Sequence, residues 1–247
     1  MGRRITASAA DLADRCPPLP AAIAPLRIAD GTLEALKWLA LVLMTVDHVN
    51  KYLFDHKFGA MYILGRVAMP LFVFVLAYNL ARPGAMEAGA FARTAKRLSM
   101  FGLVACVPYI AFGTMLGGWW PLNILFTLAV ATLVLMLVAK GTNRHDTAAV
   151  LVFAAGGALV EYWWPALAVA WTGYRYCQRP TWGRLAGVGI ALLSLAFVNQ
   201  NAWALAALPL IAGARFIDLQ LPRSPRFFYV YYPAHLAVLW VLAKLLH

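Results

Sequence analysis

The stretch LEALKWLALVLMTVDHVNKYLF (33–54) decides the fold. Its apolar run has the length of a membrane helix, since about 20 residues cross the ~30 Å hydrocarbon layer of a bilayer. Near its end it also carries Asp47, His48, Asn50 and Lys51. Ionisable side chains are costly in hydrocarbon and are kept there mainly where they face a polar cavity or a partner. Lys37, Leu41, Met44, His48 and Lys51 share one face of a helix, with Asp47 about 100° round from His48. That geometry predicts His48 facing a cavity while Asp47 reaches a neighbouring helix.

The rest of the chain is of the same kind. Of its 247 residues, 63% are hydrophobic and only 13% charged, against roughly a quarter charged in a soluble domain; mean hydropathy is +0.71. These values predict an all-α, polytopic transmembrane bundle. The net charge of +11 is scattered through short loops instead of gathered into a patch, so no nucleic-acid partner is expected. Cys16, Cys106 and Cys177 are too widely spaced for a zinc site or a disulfide framework. Residues 1–30 are interrupted by Asp11, Asp14 and CPPLP before any apolar core, and read as a surface or flexible tail without a signal peptide. Residues 31–247 form a single membrane domain.

Apolar runs place about nine spans at 33–54, 61–81, 97–116, 120–139, 147–161, 163–177, 184–199, 202–214 and 227–246. Every second connection is basic: Arg82, Arg93, Lys96 and Arg97, then Lys140 and Arg144, then Arg175, Arg179 and Arg184, then Arg215, Arg223 and Arg226. The positive-inside rule then puts the N-terminus in the cytoplasm and the tryptophans Trp119, Trp120, Trp163 and Trp164 in a belt on the outer side. Pro70 and Pro233 lie inside spans and free the carbonyls of Arg66 and Tyr229.

This orientation gathers polar residues in the outer half of the bundle: Asp47, His48, Asn50, Lys51, Arg66, Asn123, Glu161, Asn199 and Asn201. Each has a plainer reading beside the functional one. Asp47 and His48 also suit a buried pair that locks helices, and Arg66 suits a counter-ion to Asp47 as well as a substrate ligand. His235, one turn from Tyr231 and Tyr232, suits a hydrogen bond to a tyrosine or a freed carbonyl. Glu161, beside Tyr162, Trp163 and Trp164, suits an interfacial position, and Asn123 a helix cap.

The segments LKWLALVLMTVDHVN (36–50), GRVAMPLFVFVLAYNLAR (65–82), AKRLS (95–99), NILFTLA (123–129) and FFYVYYPAHLAVL (227–239) resemble, in order and spacing, the TraX/TrbP-type conjugal transfer proteins. The resemblance covers most of residues 33–247; the N-terminal tail lies outside it. It implies a multi-pass protein of the bacterial inner membrane from a conjugative plasmid, acting in pilus biogenesis on a membrane-embedded pilin. The activity implied is N-terminal acetylation of the pilin, with acetyl-CoA as donor and a distant likeness to membrane acyltransferases. Asp47, His48, Arg66, Asn123 and His235 are the positions the resemblance marks.

The residues suit that chemistry in part. His48 would act as general base with Asp47 or a neighbour setting its tautomer. Arg66 would bind a carboxylate or an oxyanion, and His235 would complete the acid–base centre. Lys51, Asn123, Tyr232 and Glu161 are the expected substrate contacts, and no metal is expected. Acetyl-CoA is cytoplasmic, however, whereas the polar cluster lies toward the outer side. Head-to-tail joining of the pilin, a cyclisation that needs no cofactor, would escape that difficulty. A proton-coupled transporter, a haem or metal protein using His48 and His235, and a non-catalytic pilin chaperone are the readings from other classes.

Overall fold

The computed structural model describes residues 23–113 and 116–246. The chain is all-α: α1 Asp30–Leu53, α2 Gly59–Leu80, α3 Ala90–Ala111, α4 Ile124–Lys140, α5 Asn143–Leu159, α6 Trp163–Gln178, α7 Trp182–Ser194, the single turn α8 Ala196–Asn199, a 3-10 turn Trp203–Ala206, α9 Ala207–Ala214 and α10 Phe227–Leu246. Among the described residues the only β pairing is two isolated bridges, Leu116 with Trp120 and Leu122 with Val160. Three stretches, Gly59–Leu80, Trp182–Asn199 and Phe227–Leu246, are long and apolar enough to cross a membrane. Helix α1 has the length as well, but its window carries the charges of the polar cluster.

The helices fall near the apolar runs, with three differences. The third run, expected at 97–116, is a helix over Ala90–Ala111 that begins in the basic segment before it. The seventh run is interrupted at Leu195, where α7 ends and the short α8 begins. The eighth run starts as a 3-10 turn and becomes α-helical only from Ala207. Most of the expected N-terminal tail, residues 1–22, lies outside the described residues. Its last part is already anchored: Ile28 is buried against α1 and α2, and its N–H donates to the Tyr78 hydroxyl at 3.0 Å.

Helix α1 packs against α2 on one side and α10 on the other; α10 packs on α3, α3 on α4, and α4 on α5 and α6, while α2 closes the bundle against α6. The α1–α2 contact is unusually close. A Cβ on Gly65 would lie 2.3 Å from Asp47 Cβ and 2.7 Å from its Oδ1, so this crossing requires a residue without a side chain, as close helix pairs in membranes generally do. Gly65→Ala is therefore expected to push α1 from α2 and cost about 1–3 kcal/mol, the usual range for overpacking. A lower midpoint of thermal unfolding in detergent checks it, and an unchanged midpoint would contradict the close crossing.

The two ends of the bundle differ. At the basic end, Asp30 pairs with Arg82 and, at 2.7 Å, with Arg223. The connection 215–226 lies across the start of α1: Thr32 Oγ1 donates to Ile217 O at 2.7 Å and accepts from Leu219 N–H at 3.1 Å. Glu34 Oε1 accepts from Ser224 N–H at 3.0 Å, and its Oε2 meets Lys37 Nζ at 2.5 Å. The opposite end is fixed by uncharged groups. Asn50 clamps the α1–α2 turn, donating to Phe58 O and accepting from Phe58 N–H, both at 2.9 Å. The turn before α6 is tied to the start of α4 by Leu122 N–H to Leu159 O at 2.8 Å and Glu161 N–H to Leu122 O at 2.9 Å.

Candidate functional site

Asp47 and Arg66 meet across the α1–α2 crossing. Arg66 Nη2 donates to Asp47 Oδ2 at 2.5 Å, Nη1 to Asn199 Oδ1 at 3.2 Å, and Nε to Tyr62 O at 3.2 Å. The guanidinium also lies over the Tyr62 ring, 4.2 Å from its centroid, and the Tyr62 hydroxyl donates to Asn199 O at 2.9 Å. This planar fork joins α1, α2 and the end of α8, the geometry at which arginine excels. Arg66 is thus placed as the counter-ion of Asp47. Asp47 Oδ1 and Asn199 Nδ2 are buried without a hydrogen-bond partner among the described residues; Oδ1 is the atom pressed against Gly65.

His48, one residue on, faces the other way, toward α10. Its Nδ1 lies 2.8 Å from His235 Nε2, with the two rings within 5° of parallel. His235 Nδ1 lies 3.0 Å from Tyr231 O. A carbonyl only accepts, so the assignment of protons follows by elimination for the neutral pair. His235 Nδ1 carries a hydrogen and donates it to Tyr231 O. His235 Nε2 is then an acceptor, and His48 Nδ1 donates to it. The lone pair of His48 Nε2 is left free, which is the form a general base needs.

The surroundings hold this pair in place. The Tyr231 ring stacks on His235 at 5.1 Å. Thr45 Oγ1 donates to Leu41 O at 2.8 Å and so accepts, also at 2.8 Å, from the Tyr231 hydroxyl. Tyr52 meets His48 edge-on at 5.6 Å and stacks on Phe112 at 3.8 Å. Tyr232, buried, lies 5.4 Å from His235 and 6.4 Å from His48. Lys51 extends over Tyr52, 4.9 Å from the ring centroid. Glu161 sits beside the start of α4, near enough to Lys51 and Arg66 for their charges to act on it.

Asp47 and Arg66 thus meet on the α2 side of α1, and His48, His235 and Tyr232 on its α10 side, with Lys51 beside Tyr52 and Glu161 in the α5–α6 turn. Asn123 stands apart. Fully buried, it caps α4 through Leu125 N–H to Oδ1 at 3.1 Å and ties α4 to α3 through Nδ2 to Gly102 O at 3.0 Å. Its amide is occupied by the protein itself. The sequence reading passes over Thr45 and Tyr52, although both mark themselves by spacing: they are three residues before and four after His48, on its face of the helix. Among the described residues no group of three His, Cys, Asp or Glu side chains gathers closely enough to hold a metal ion.

A cavity of about 540 Å³ approaches this centre from the basic end. Lys37, Arg82, Arg97 and Arg223 line its charged part together with Asp30 and Glu34, which pair with all of these cations but Arg97, and Met44, Ile124, Tyr231 and Tyr232 line its apolar part. The two tyrosines therefore separate the cavity from the histidine pair while touching both. The remaining walls come mainly from apolar residues of α2, α3 and α4, such as Phe72, Leu98 and Leu128.

Comparison with known proteins gives a consistent result. No solved structure matches the chain. An Escherichia coli protein called Protein TraX is 33% identical over 225 residues, covering 86% of this chain and 88% of its own length. Protein TraX of Escherichia coli strain K12 is 30% identical over 230 residues with the same coverage. A shorter match, 46% identical over 46 residues and 19% of the chain, links it to an uncharacterised protein of Rickettsia prowazekii. The family model described as TraX protein matches residues 32–243, a span that includes every residue of the site. The chain belongs to the TraX family.

Proposed function

We propose that this protein is a bacterial inner-membrane enzyme of conjugative pilus biogenesis that transfers an acetyl group from acetyl-CoA to the amino terminus of a membrane-embedded pilin. One observation carries the reading: a cavity lined by Lys37, Arg82, Arg97 and Arg223 ends at Tyr231 and Tyr232, the residues packed against a histidine pair in which His48 has a free ring nitrogen. The charged lining suits the phosphates of the donor, because guanidinium groups bind phosphate by charge-assisted, often paired hydrogen bonds. The apolar part suits the pantetheine arm and the acetyl thioester. A donor entering this cavity from the cytoplasm would bring its thioester to Tyr231 and Tyr232, one layer of side chains from His48 and His235, which narrows the distance to an acceptor at the outer half.

The chemistry asks little of the chain. His48 Nε2 takes the proton from the pilin α-amine as the new C–N bond forms and the thioester C–S bond breaks, and the leaving thiolate is protonated to the thiol. His235 accepts from His48 Nδ1–H and, through Tyr231 O, keeps the pair in the tautomer that performs this step. Lys51 supplies positive charge for the developing oxyanion. Asp47 and Arg66 hold α1 and α2 so that His48 stays aimed. Asp47 acts as a positioning residue in this scheme, and His48 as the base.

Intact mass of the pilin from cells with and without the protein tests the reading. A gain of about 42 Da, the mass of N-terminal acetylation that removes the terminal charge, is the expected result. A loss of about 18 Da would instead mark head-to-tail joining, the closure of one peptide bond with release of water, and an unchanged mass would sink both. At the donor mouth, Arg97 takes part in no ion pair among the described residues. Arg97→Ala is therefore expected to raise KM for acetyl-CoA about tenfold or more at near-constant kcat, from the loss of a charge-assisted contact worth roughly 1.5–3 kcal/mol. Steady-state kinetics against donor concentration checks it.

A further inference from the structure

Helices α1 and α10 run side by side in the same direction, because their contacts rise in the same order on both. Lys37 Nζ lies 4.5 Å from the Phe228 ring centroid, Thr45 meets Tyr231 further along, and His48 meets His235 beyond that. The cavity follows the first part of this seam. Lys37, Leu41 and Met44 line it from α1, and Phe228, Tyr231 and Tyr232 from α10. One turn further on these faces stand His48 and His235, and neither belongs to the lining. The cavity therefore stops one turn short of the histidine pair.

What closes it is a crossbar between the two helices. Thr45 Oγ1 donates to Leu41 O, one turn back, at 2.8 Å, a bond that fixes the hydroxyl of a helical threonine. It accepts from the Tyr231 hydroxyl, also at 2.8 Å, so the Tyr231 side chain reaches from α10 to α1. Its ring is braced by His235, 8° from parallel at 5.1 Å, and by Phe227 at 5.7 Å. Tyr232 completes the wall but is held differently, 3% exposed and packed in a core cluster with Leu98, Leu125 and Leu236. Tyr231 is half-buried and belongs to none of the core clusters of the described residues. Its place rests on the bond to Thr45 and on ring contacts.

We infer that Tyr231, latched by Thr45, is the stop at the inner end of the donor cavity and the residue that limits the transferred acyl group to a short chain. The inference rests on the acyl-transfer reading of this cavity and adds to it what selects the donor. An acyl-CoA whose phosphates sit at the charged end carries its acyl group foremost, against this ring. An acetyl group ends at its methyl. Every further methylene needs space that the ring occupies, and a packed wall yields that space only by moving. The selection is made by shape, so it belongs to the ring and to the bond that holds it.

The test measures the dissociation constants of acetyl-CoA and hexanoyl-CoA for the purified, full-length protein in nanodiscs, without pilin and with empty nanodiscs as the blank. The wild-type protein is expected to bind acetyl-CoA about tenfold or more tightly than hexanoyl-CoA, since even one methylene in an apolar pocket is discriminated to about that degree. In Tyr231→Ala the preference is expected to vanish or reverse, because the space of the ring joins the cavity and the longer chain buries more apolar surface. Tyr231→Phe and Thr45→Val each remove the latch and keep the shape. Each is expected to retain part of the preference, and the two together to do no more than either alone, the mark of a shared interaction.

The ratio of the two constants is the readout that a merely structural role would not move, because a loosened fold weakens both donors alike. The latch variants carry the same test if the alanine protein does not fold. Equal binding of the two donors by the wild type, or a wild-type ratio in the folded variants, would overturn the stop and leave acyl transfer standing. Binding of neither donor would remove the acyl-transfer reading, and the stop with it.

Discussion

His48→Gln is expected to lower the rate of pilin modification by about a hundredfold to ten-thousandfold, the contribution of a positioned general base, while the protein stays folded. Glutamine keeps a donor for His235 but has no basic nitrogen in place of Nε2. The two functions of the ring are thereby separated. His235→Ala is expected to cost about a hundredfold or more by a different route. It removes the acceptor that fixes His48 Nδ1–H, and loss of the group that sets a catalytic tautomer is worth up to ~10⁴ in well-studied triads. Single-turnover rates with reconstituted protein check both. A His48→Gln protein that modifies pilin at the wild-type rate would remove His48 from the chemistry and leave the pair as a helix lock.

The second large effect is on stability. Asp47→Ala strands the Arg66 guanidinium at the α1–α2 crossing, where its Nη2 has lost a partner at 2.5 Å. Breaking one side of a buried ion pair costs about 3–5 kcal/mol, whereas replacing both sides with apolar groups can be nearly neutral. Asp47→Ala should therefore unfold at markedly lower temperature or denaturant concentration, and Asp47→Ala combined with Arg66→Met should recover most of the loss. Asp47 Oδ1, buried without a partner, already leaves part of the carboxylate uncompensated. An additive double variant, as destabilised as the two single changes together, would show that the two residues do not act as a pair.

Much of this architecture is legible from local sequence. Hydropathy alone places α6 at 163–177 where the helix runs Trp163–Gln178, and places α10 at 227–246 as found. These helices are long apolar runs, so their existence follows from the chain itself. The break at Leu195 does not follow, because nothing in LLSLAFVN (192–199) forbids a continuous helix.

The Asp47–Arg66 contact is legible too, since two opposite charges at the same depth of consecutive helices have few other partners. The His48–His235 contact needs α10 to lie beside α1 across 187 positions, and only packing decides that. The same holds for the cavity, whose lining comes from five helices and two connections. Asn123 illustrates the reverse case. Its position just before ILF (124–126) is a cap signal, and capping with a bridge to Gly102 is what occupies it.

The most direct measurement of the central claim uses purified protein in nanodiscs, the pilin and acetyl-CoA carrying an isotopically labelled acetyl group. The account predicts label on the pilin α-amine, one acetyl per chain, and its loss in His48→Gln with the fold intact. Unlabelled pilin in the presence of folded wild-type protein, or label placed equally well by His48→Gln, would contradict it.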